Sequence, residues 1–144
     1  MAEHDTNVES LMTSPVETIA PDASLADAAT RLTEQSIGSL VVGEGQLRGI
    51  ITESDIVTAV SDELDPETPV TELMSDPVVT IRRTETLQAA AERMGHNGVK
   101  KLPVVEGGSA IGIITTTDLA LHLPSYQVNM AHQAEPDIVD GEWE

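Results

Sequence analysis

The stretch LMTSPVETI at residues 11–19 decides how this chain folds, because a close copy, LMSDPVVTI, occupies residues 73–81. The two stretches start 62 residues apart, whereas GIITESDI at residues 49–56 and GIITTTDL at residues 112–119 start 63 apart. Self-similarity at a nearly constant spacing indicates an internal structural repeat. The difference of one residue predicts an insertion, which we place in the glycine-rich turn where GEGQ of the first copy becomes EGGS of the second.

Each copy predicts the same order of secondary structure. An extended run follows the proline at residues 16–19 and 78–81, where β-branched residues favour a strand. A helix comes next, because apolar side chains three and four positions apart form one helical face. Those side chains are Leu25, Ala28, Ala29 and Leu32 in the first copy and Leu87, Ala90, Ala91 and Met94 in the second. Ser24, with Asp27 three residues later, predicts the first helix start, and Thr86 or Thr84 predicts the second.

Two apolar runs joined by a glycine-containing turn follow each helix and predict a β-hairpin. The runs are residues 40–42 and 47–52 in the first copy and residues 102–105 and 111–115 in the second. A second helix is predicted after each GIIT. Each copy is therefore an expected β-α-β-β-α unit, a small sheet packed by two helices. Because one such unit would leave an apolar sheet face exposed, we expect the two to pack together as one pseudo-symmetric α+β domain.

The repeat also predicts domain boundaries. We assign the first motif to residues 8–61 and the linker to residues 62–71. The second motif is assigned to residues 72–123 and the C-terminal tail to residues 124–144. The linker is acidic and contains two prolines. The tail is acidic and poor in apolar residues, which predicts either disorder or a wrap over the surface, or docking on a partner through Tyr126 and Trp143.

The composition limits the class of partner. Among 144 residues, 25 are acidic and 7 are basic, for a formal charge of −18, so nucleic acid and anionic membranes would be repelled. Scattered acidic residues and only two lysines resemble proteins of salt-loving archaea, and an ordinary acidic protein is the alternative. The absence of cysteine excludes disulfides and thiolate chemistry. Without a signal-like start or a long apolar stretch, we expect a cytoplasmic protein.

Both GIIT-x-x-D segments place a threonine and an aspartate at a predicted helix start. The pairs are Thr52 with Asp55 and Thr115 with Asp118. Unpaired backbone N–H groups and the positive end of the helix dipole make such a start suited to an anion. The same residues also form capping boxes, which require no ligand. The residues alone leave both interpretations open.

Both copies resemble CBS motifs. The pattern of that family runs from Met-Thr or Met-Ser and a following Pro-Val, through a helix and a strand such as IGSLVV or G(I/V)xxLPVV, to a segment GhhTxxDh, in which h is apolar. The resemblance covers residues 8 to about 123, and a tandem pair of this kind is called a Bateman module. It implies an adenosine-containing ligand, such as AMP, ADP or ATP, in clefts between the two motifs.

The resemblance also implies roles for individual residues. Asp55 and Asp118 would accept hydrogen bonds from ribose hydroxyls, where a carboxylate makes a charge-assisted bond about twice as strong as a neutral one. Thr52 and Thr115 would offer a hydroxyl and the helix start to phosphate. The adenine would lie against apolar side chains, and backbone groups would read its polar edge. Those apolar side chains are Ile37 and Val99, and the backbone groups lie around Thr18 and Thr80.

The two clefts are expected to differ in charge. The resemblance implies that Lys100 and Lys101 meet the phosphate in the cleft of Asp55. The corresponding first-copy residues, Gly38 and Ser39, are uncharged, so the other cleft, built on Asp118, is expected to take a weakly charged ligand or none. Many family members carry an arginine directly before each aspartate. Here Ser54 and Thr117 stand in those positions, which argues against a triphosphate.

The combined expectation is a regulatory sensor that binds an adenine nucleotide, forms a homodimer and signals to a separate protein in trans. The alternatives are a ligand-independent dimerisation module and a sensor of NAD or S-adenosylmethionine. We expect no enzyme, because no nucleophile, acid–base pair or metal cluster accompanies these residues. The four histidines lack metal-ligand spacing, and Arg82 and Arg83 are expected in a solvated loop. The histidines are His4, His96, His122 and His132.

Overall fold

The structure is a computed structural model that describes residues 6–75 and 78–122. The first motif contains β1 (Thr18–Ile19), α1 (Leu25–Gln35), β2 (Ser39–Val42), β3 (Gly49–Thr52) and α2 (Glu53–Ser61). The second contains β4 (Ile81–Arg82), α3 (Leu87–Asn97), β5 (Lys101–Glu106), β6 (Ser109–Thr115) and α4 (Thr116–His122). Short 3₁₀ helices at Val8–Ser10 and Val70–Glu72 precede the two sheets. The predicted α+β class and β-α-β-β-α order are confirmed.

The two sheets have the same topology. In the first the strand order is β1-β2-β3, with β1 parallel to β2 and β2 antiparallel to β3. The second repeats this as β4-β5-β6. Both predicted hairpins are therefore present. The strands expected at residues 16–19 and 78–81 contain only two residues each.

The predicted helix starts are confirmed in detail. Ser24 accepts a hydrogen bond from the backbone N–H of Asp27, whose carboxylate accepts from the N–H of Ser24, both at 3.1 Å. Thr86, and not Thr84, caps α3 by accepting from the N–H of Ala89 at 3.1 Å. The faces that these helices bury match the predicted apolar positions, except that the second alanine of each run is only partly buried. The buried residues are Leu25, Ala28, Leu32, Leu87, Ala90 and Met94.

The extra residue of the second copy lies at a β-bulge. The pairing of Val104 with Gly112 is followed by a register shift, so that Ile111 is the additional residue on β6. Beyond the bulge the hairpin continues to a tight turn at Gly107 and Gly108, with φ angles of 60° and 85°. Positive φ at both turn positions favours glycine. The insertion thus lengthens the second hairpin instead of enlarging a loose turn.

Each motif buries a residue from the segment that precedes the other motif in the chain. Val8 is fully buried in the core of the second motif, and Val70 is fully buried in the core of the first. Backbone hydrogen bonds fix both segments, from Val8 N–H to the Glu85 carbonyl at 2.9 Å and from Val70 N–H to the Ala23 carbonyl at 2.8 Å. The segment predicted as a linker therefore supplies a core residue, and the boundaries at residues 61, 62 and 71 stay a prediction.

Two glycines let these exchanged segments cross the sheets. At Gly49 an added Cβ atom would lie 2.6 Å from the Met74 sulfur and 2.8 Å from the Ser75 carbonyl oxygen. At Gly112 it would collide with the Met12 sulfur and lie 3.1 Å from the Thr13 carbonyl oxygen. The Leu-Met and Gly-Ile-Ile-Thr parts of the repeat are therefore in contact across the motifs, which explains why both recur.

The core is aliphatic, as the absence of phenylalanine requires. Within the described ranges, no helix combines the length and the apolar character needed to cross a bilayer. The predicted tail with Tyr126 and Trp143, together with His4 and His132, lies outside the residues that the structure describes.

We expect Gly112→Ala to lower the free energy of unfolding by about 1–3 kcal/mol, because the new methyl group must displace the backbone and side chain that cross it. Urea denaturation followed by circular dichroism measures this. Gly95→Ala is the matched control, since Gly95 lies in α3 with no atom within 4 Å of an added Cβ. That change should stabilise the helix by up to about 1 kcal/mol. Equal effects of the two changes would contradict the close crossing.

Candidate functional site

Two cavities lie between the motifs and are related by the repeat. We call the first the Asp55 cleft, a cavity of about 340 Å³, and the second the Thr115 cleft, of about 200 Å³. Small-molecule sites occupy roughly 300–1,000 Å³, so only the Asp55 cleft has the usual size. The Asp55 cleft is lined among others by Thr52, Ser54, Asp55, Ser75, Val99, Lys100 and Lys101. The Thr115 cleft is lined among others by Thr13, Glu17, Ile37, Gly38, Ser39, Lys101, Ile113 and Thr115.

Both clefts combine the end of a GIIT strand from one motif with the start of a central strand from the other. In the Asp55 cleft the end of β3 faces the residues that begin β5, and in the Thr115 cleft the end of β6 faces those that begin β2. Ile37 and Val99 supply the expected apolar surface, one in each cleft. Asp118, on which the second cleft was predicted to rest, is half-buried and does not line it.

The aspartates of both GIIT-x-x-D segments cap helices. Asp55 Oδ2 accepts hydrogen bonds from the Thr52 N–H at 2.8 Å and the Thr52 hydroxyl at 3.1 Å. Asp118 Oδ2 accepts the same two bonds from Thr115 at 2.9 and 3.1 Å. The capping interpretation is therefore confirmed. It uses one oxygen of each carboxylate, and no described residue donates to Oδ1, so a capping aspartate can still accept a hydrogen bond from a ligand hydroxyl.

The caps use the only hydrogen that each threonine hydroxyl can donate. The Thr52 hydroxyl donates to Asp55 and accepts from the Asp55 N–H at 3.4 Å. The Glu53 N–H is also taken, by the Gly38 carbonyl at 3.1 Å. Within the described residues, the Ser54 N–H at the same helix start has no acceptor, and Ser54 lines the Asp55 cleft. This N–H group could donate a hydrogen bond to an anion, whereas the threonine hydroxyl already donates to Asp55.

Arginine side chains donate hydrogen bonds to the two backbone carbonyls that were expected to contact adenine. Arg31 donates to the Thr18 carbonyl at 2.7 Å, and Arg93 donates to the Thr80 carbonyl at 3.0 Å. Arg93 also forms a two-bond ion pair with Glu85, at 2.7 and 3.0 Å. Its hydrogen bonds hold the pKa of Glu85 below the ordinary value, while Glu85 raises the pKa of Arg93. Sequence reasoning missed both arginines, although they recur at the repeat spacing of 62.

The two lysines are not equivalent in the structure. Lys100 is exposed and lines only the Asp55 cleft. Lys101 lines both clefts, and its Nζ atom would lie 2.9 Å from a Cβ atom added at Gly38. The prediction assigned both lysines to the Asp55 cleft, and both line it. Lys101 in addition lines the Thr115 cleft, where its ammonium lies beside Gly38.

The sequence did not predict that a carboxylate lines the Thr115 cleft. Glu17 lines this cleft and forms an ion pair with Arg31 at 3.4 Å. Its counterpart in the repeat is Val79, so the two clefts differ in charge at this position as well.

The remaining candidates are the histidines and the two arginines at residues 82 and 83. The described ranges contain no group of three or more histidine, aspartate or glutamate side chains arranged for a metal ion. Arg83 is half-buried and pairs with Glu9 at 3.0 Å and Glu106 at 3.3 Å, which raises its pKa.

Known proteins resemble this chain over most of its length. A CBS domain-containing protein of Bacillus subtilis, YhcV, is 30% identical over 135 residues, covering 88% of this chain and 96% of its own. The crystal structure of the CBS-domain protein ATU1752 from Agrobacterium tumefaciens superimposes with a TM-score of 0.74 at 32% identity, covering 81% of this chain and 98% of its own. The CBS domain pair of protein MJ0100, solved in complex with 5′-methylthioadenosine and S-adenosylmethionine, superimposes with a TM-score of 0.75 at 28% identity. The match covers 81% of this chain and 94% of the MJ0100 chain.

Similar proteins come from bacteria and from archaea, so the halophilic archaeal origin stays a prediction. The CBS domain family itself matches twice, at residues 8–62 and again at residues 70–125. Together with the repeated sheets and the paired clefts, these matches show that the chain belongs to the CBS domain family and carries two CBS motifs in tandem.

Proposed function

We propose that this chain is a regulatory module that binds an adenine nucleotide in the Asp55 cleft and signals to another protein in trans. The observation that carries the proposal is the set of groups that converge on this cleft. Asp55 and Ser54 come from the first motif and Lys100 comes from the second, and all three line the cleft. A hydroxyl acceptor, an anion-binding N–H and a cation together suit a ribose that carries phosphate.

Adenosine compounds are the favoured class because the MJ0100 pair was solved with two of them. Both contain a ribose and an adenine but no phosphate. In the present chain Lys100 and Lys101 favour a phosphate-bearing relative such as AMP, ADP or ATP. S-adenosylmethionine and NAD are the alternatives. The absence of an arginine before Asp55 favours few phosphates over three.

Signalling follows from the position of the cleft between two motifs. A nucleotide held by Asp55 on one side and Lys100 on the other links the motifs, so it favours the arrangement in which both contacts are made. Such a shift requires that the ligand bind the two arrangements with different affinity. A partner that contacts both motifs would detect the change. We propose a regulatory role in the cytoplasm and no catalysis.

We also propose a homodimer, as the resemblance implies. Val57 and Val60 lie one turn apart on α2 and are each 67% exposed, and Leu121 on α4 is 66% exposed. Side chains three positions apart share a helix face, so the two valines form an apolar strip that none of the described residues covers. A second copy of the chain would cover this strip. A purely structural dimer, with no ligand in the clefts, is the competing function.

Calorimetric titration with AMP, ADP and ATP tests the ligand. We expect at least one to bind with a Kd below about 1 mM. Asp55→Ala should weaken that binding by about tenfold or more, because a charge-assisted hydrogen bond is lost. Asp27→Ala is the matched control, since it removes the equivalent capping box from α1, away from both clefts. Both changes should cost about 1 kcal/mol of stability. Equal affinity of the two variants, or no binding by any nucleotide, would refute nucleotide sensing and favour the structural dimer.

Light scattering after size-exclusion chromatography tests the dimer. We expect the native mass to be twice that of the chain. The double change Val57→Asp and Val60→Asp should give a monomer, because each copy would then bury two carboxylates in an apolar contact. Thr58→Asp adds a charge to an exposed position of the same helix and should leave the dimer intact. A dimer that survives the double change would exclude this face.

A further inference from the structure

Two methionines lie at the crossings that join the motifs. Met12 precedes the first sheet but packs against the core of the second motif, and Met74 precedes the second sheet but packs against the core of the first. At Gly49 an added Cβ atom would lie 2.6 Å from the Met74 sulfur and 2.9 Å from its Cγ atom, and at Gly112 it would collide with the Met12 sulfur. Both thioethers are therefore packed directly on a glycine of the other motif.

These two methionines are also open to solvent. Met12 and Met74 are partly exposed, whereas Met94 is only 4% exposed and lies in the core of the second motif. Met1 and Met130 lie outside the described residues. The chain has no cysteine, so no thiol competes with its methionines for an oxidant. Because exposure governs how readily a sulfur is oxidised, Met12 and Met74 are the described sulfurs most accessible to a peroxide.

Oxidation gives each thioether a group that the crossing does not accommodate. The sulfur lone pair attacks one oxygen of hydrogen peroxide, an S–O bond forms and the O–O bond breaks, so that the sulfur is oxidised and the peroxide is reduced to water. The product is a sulfoxide, which is polar where the thioether was apolar. The glycine side leaves no room for its oxygen, and the core side offers only apolar atoms, where an unpaired polar group is disfavoured.

We propose that Met12 and Met74 are a pair of oxidation sites through which a peroxide loosens the joint between the two motifs. The inference goes beyond the proposed function, since it requires no nucleotide. It still reaches both clefts, because Thr13, next to Met12, lines the Thr115 cleft and Ser75, next to Met74, lines the Asp55 cleft. Methionine sulfoxide reductases return the sulfoxide to the thioether, so the change is reversible.

Hydrogen peroxide treatment of the full chain, without nucleotide, tests the sites. Mass spectrometry of peptides should show that Met12 and Met74 each gain one oxygen at about ten times the rate of Met94. The midpoint of urea denaturation should fall by about 0.5 M or more, because apolar packing at the joint is lost. The backbone amide signals of Gly49 and Gly112 should shift in two-dimensional NMR. Treatment with methionine sulfoxide reductases should restore the midpoint and both signals.

Met12→Leu and Met74→Leu, separately and together, are the matched variants, since leucine stays apolar and of similar volume without the sulfur. The double variant should keep its midpoint and its glycine signals in peroxide. Each single variant should shift only the glycine signal of the crossing that keeps its methionine, and these variants decide the question if the double variant does not fold.

Three results would refute the proposal. The first is oxidation of Met94 as fast as that of Met12 and Met74. The second is an unchanged midpoint with unchanged glycine signals once both are oxidised. The third is an equal loss of stability in the double variant, because the loss would then come from another residue. Nucleotide binding is not involved in any of these measurements, so the proposed function stands or falls separately.

Discussion

The two motifs are joined where two backbone segments pass closely over two glycines. Met12 and Thr13 cross Gly112, and Met74 and Ser75 cross Gly49, each segment passing from one motif onto the sheet of the other. A backbone hydrogen bond stabilises each crossing. The Thr13 N–H donates to the Ile113 carbonyl at 2.9 Å, and the Ser75 N–H donates to the Ile50 carbonyl at 3.0 Å. The same segments line the clefts. The contact that joins the motifs therefore also builds the walls between which a ligand would lie.

Within those walls one carboxylate can serve two purposes. Asp55 caps α2 through Oδ2 and also lines a cleft, while no described residue donates a hydrogen bond to its Oδ1. The cap restricts the carboxylate to one orientation, which lowers the entropy cost of binding. Stability and binding are coupled at this residue. Asp118 has the same cap, but it does not line the smaller cleft, so equal local sequence does not give equal sites.

The sequence predicted the features that depend on local or repeated patterns. Apolar periodicity located the helices, and the spacing of Ser24 and Asp27 fixed a cap, because these signals act within a few residues. It did not predict that Val8 and Val70 exchange cores, since a repeat shows which segments are alike and not which ones touch. The reach of Lys101 into the Thr115 cleft was missed for a related reason. It depends on the space that Gly38 leaves in the other motif.

A crystal structure of the chain grown with AMP tests the central claim most directly, because it shows both the ligand and the residues that contact it. We expect the ribose hydroxyls within hydrogen-bonding distance of Asp55 Oδ1 and the phosphate between the Ser54 N–H and the Lys100 ammonium. AMP bound outside both clefts, or clefts that stay empty at saturating AMP, would contradict the account.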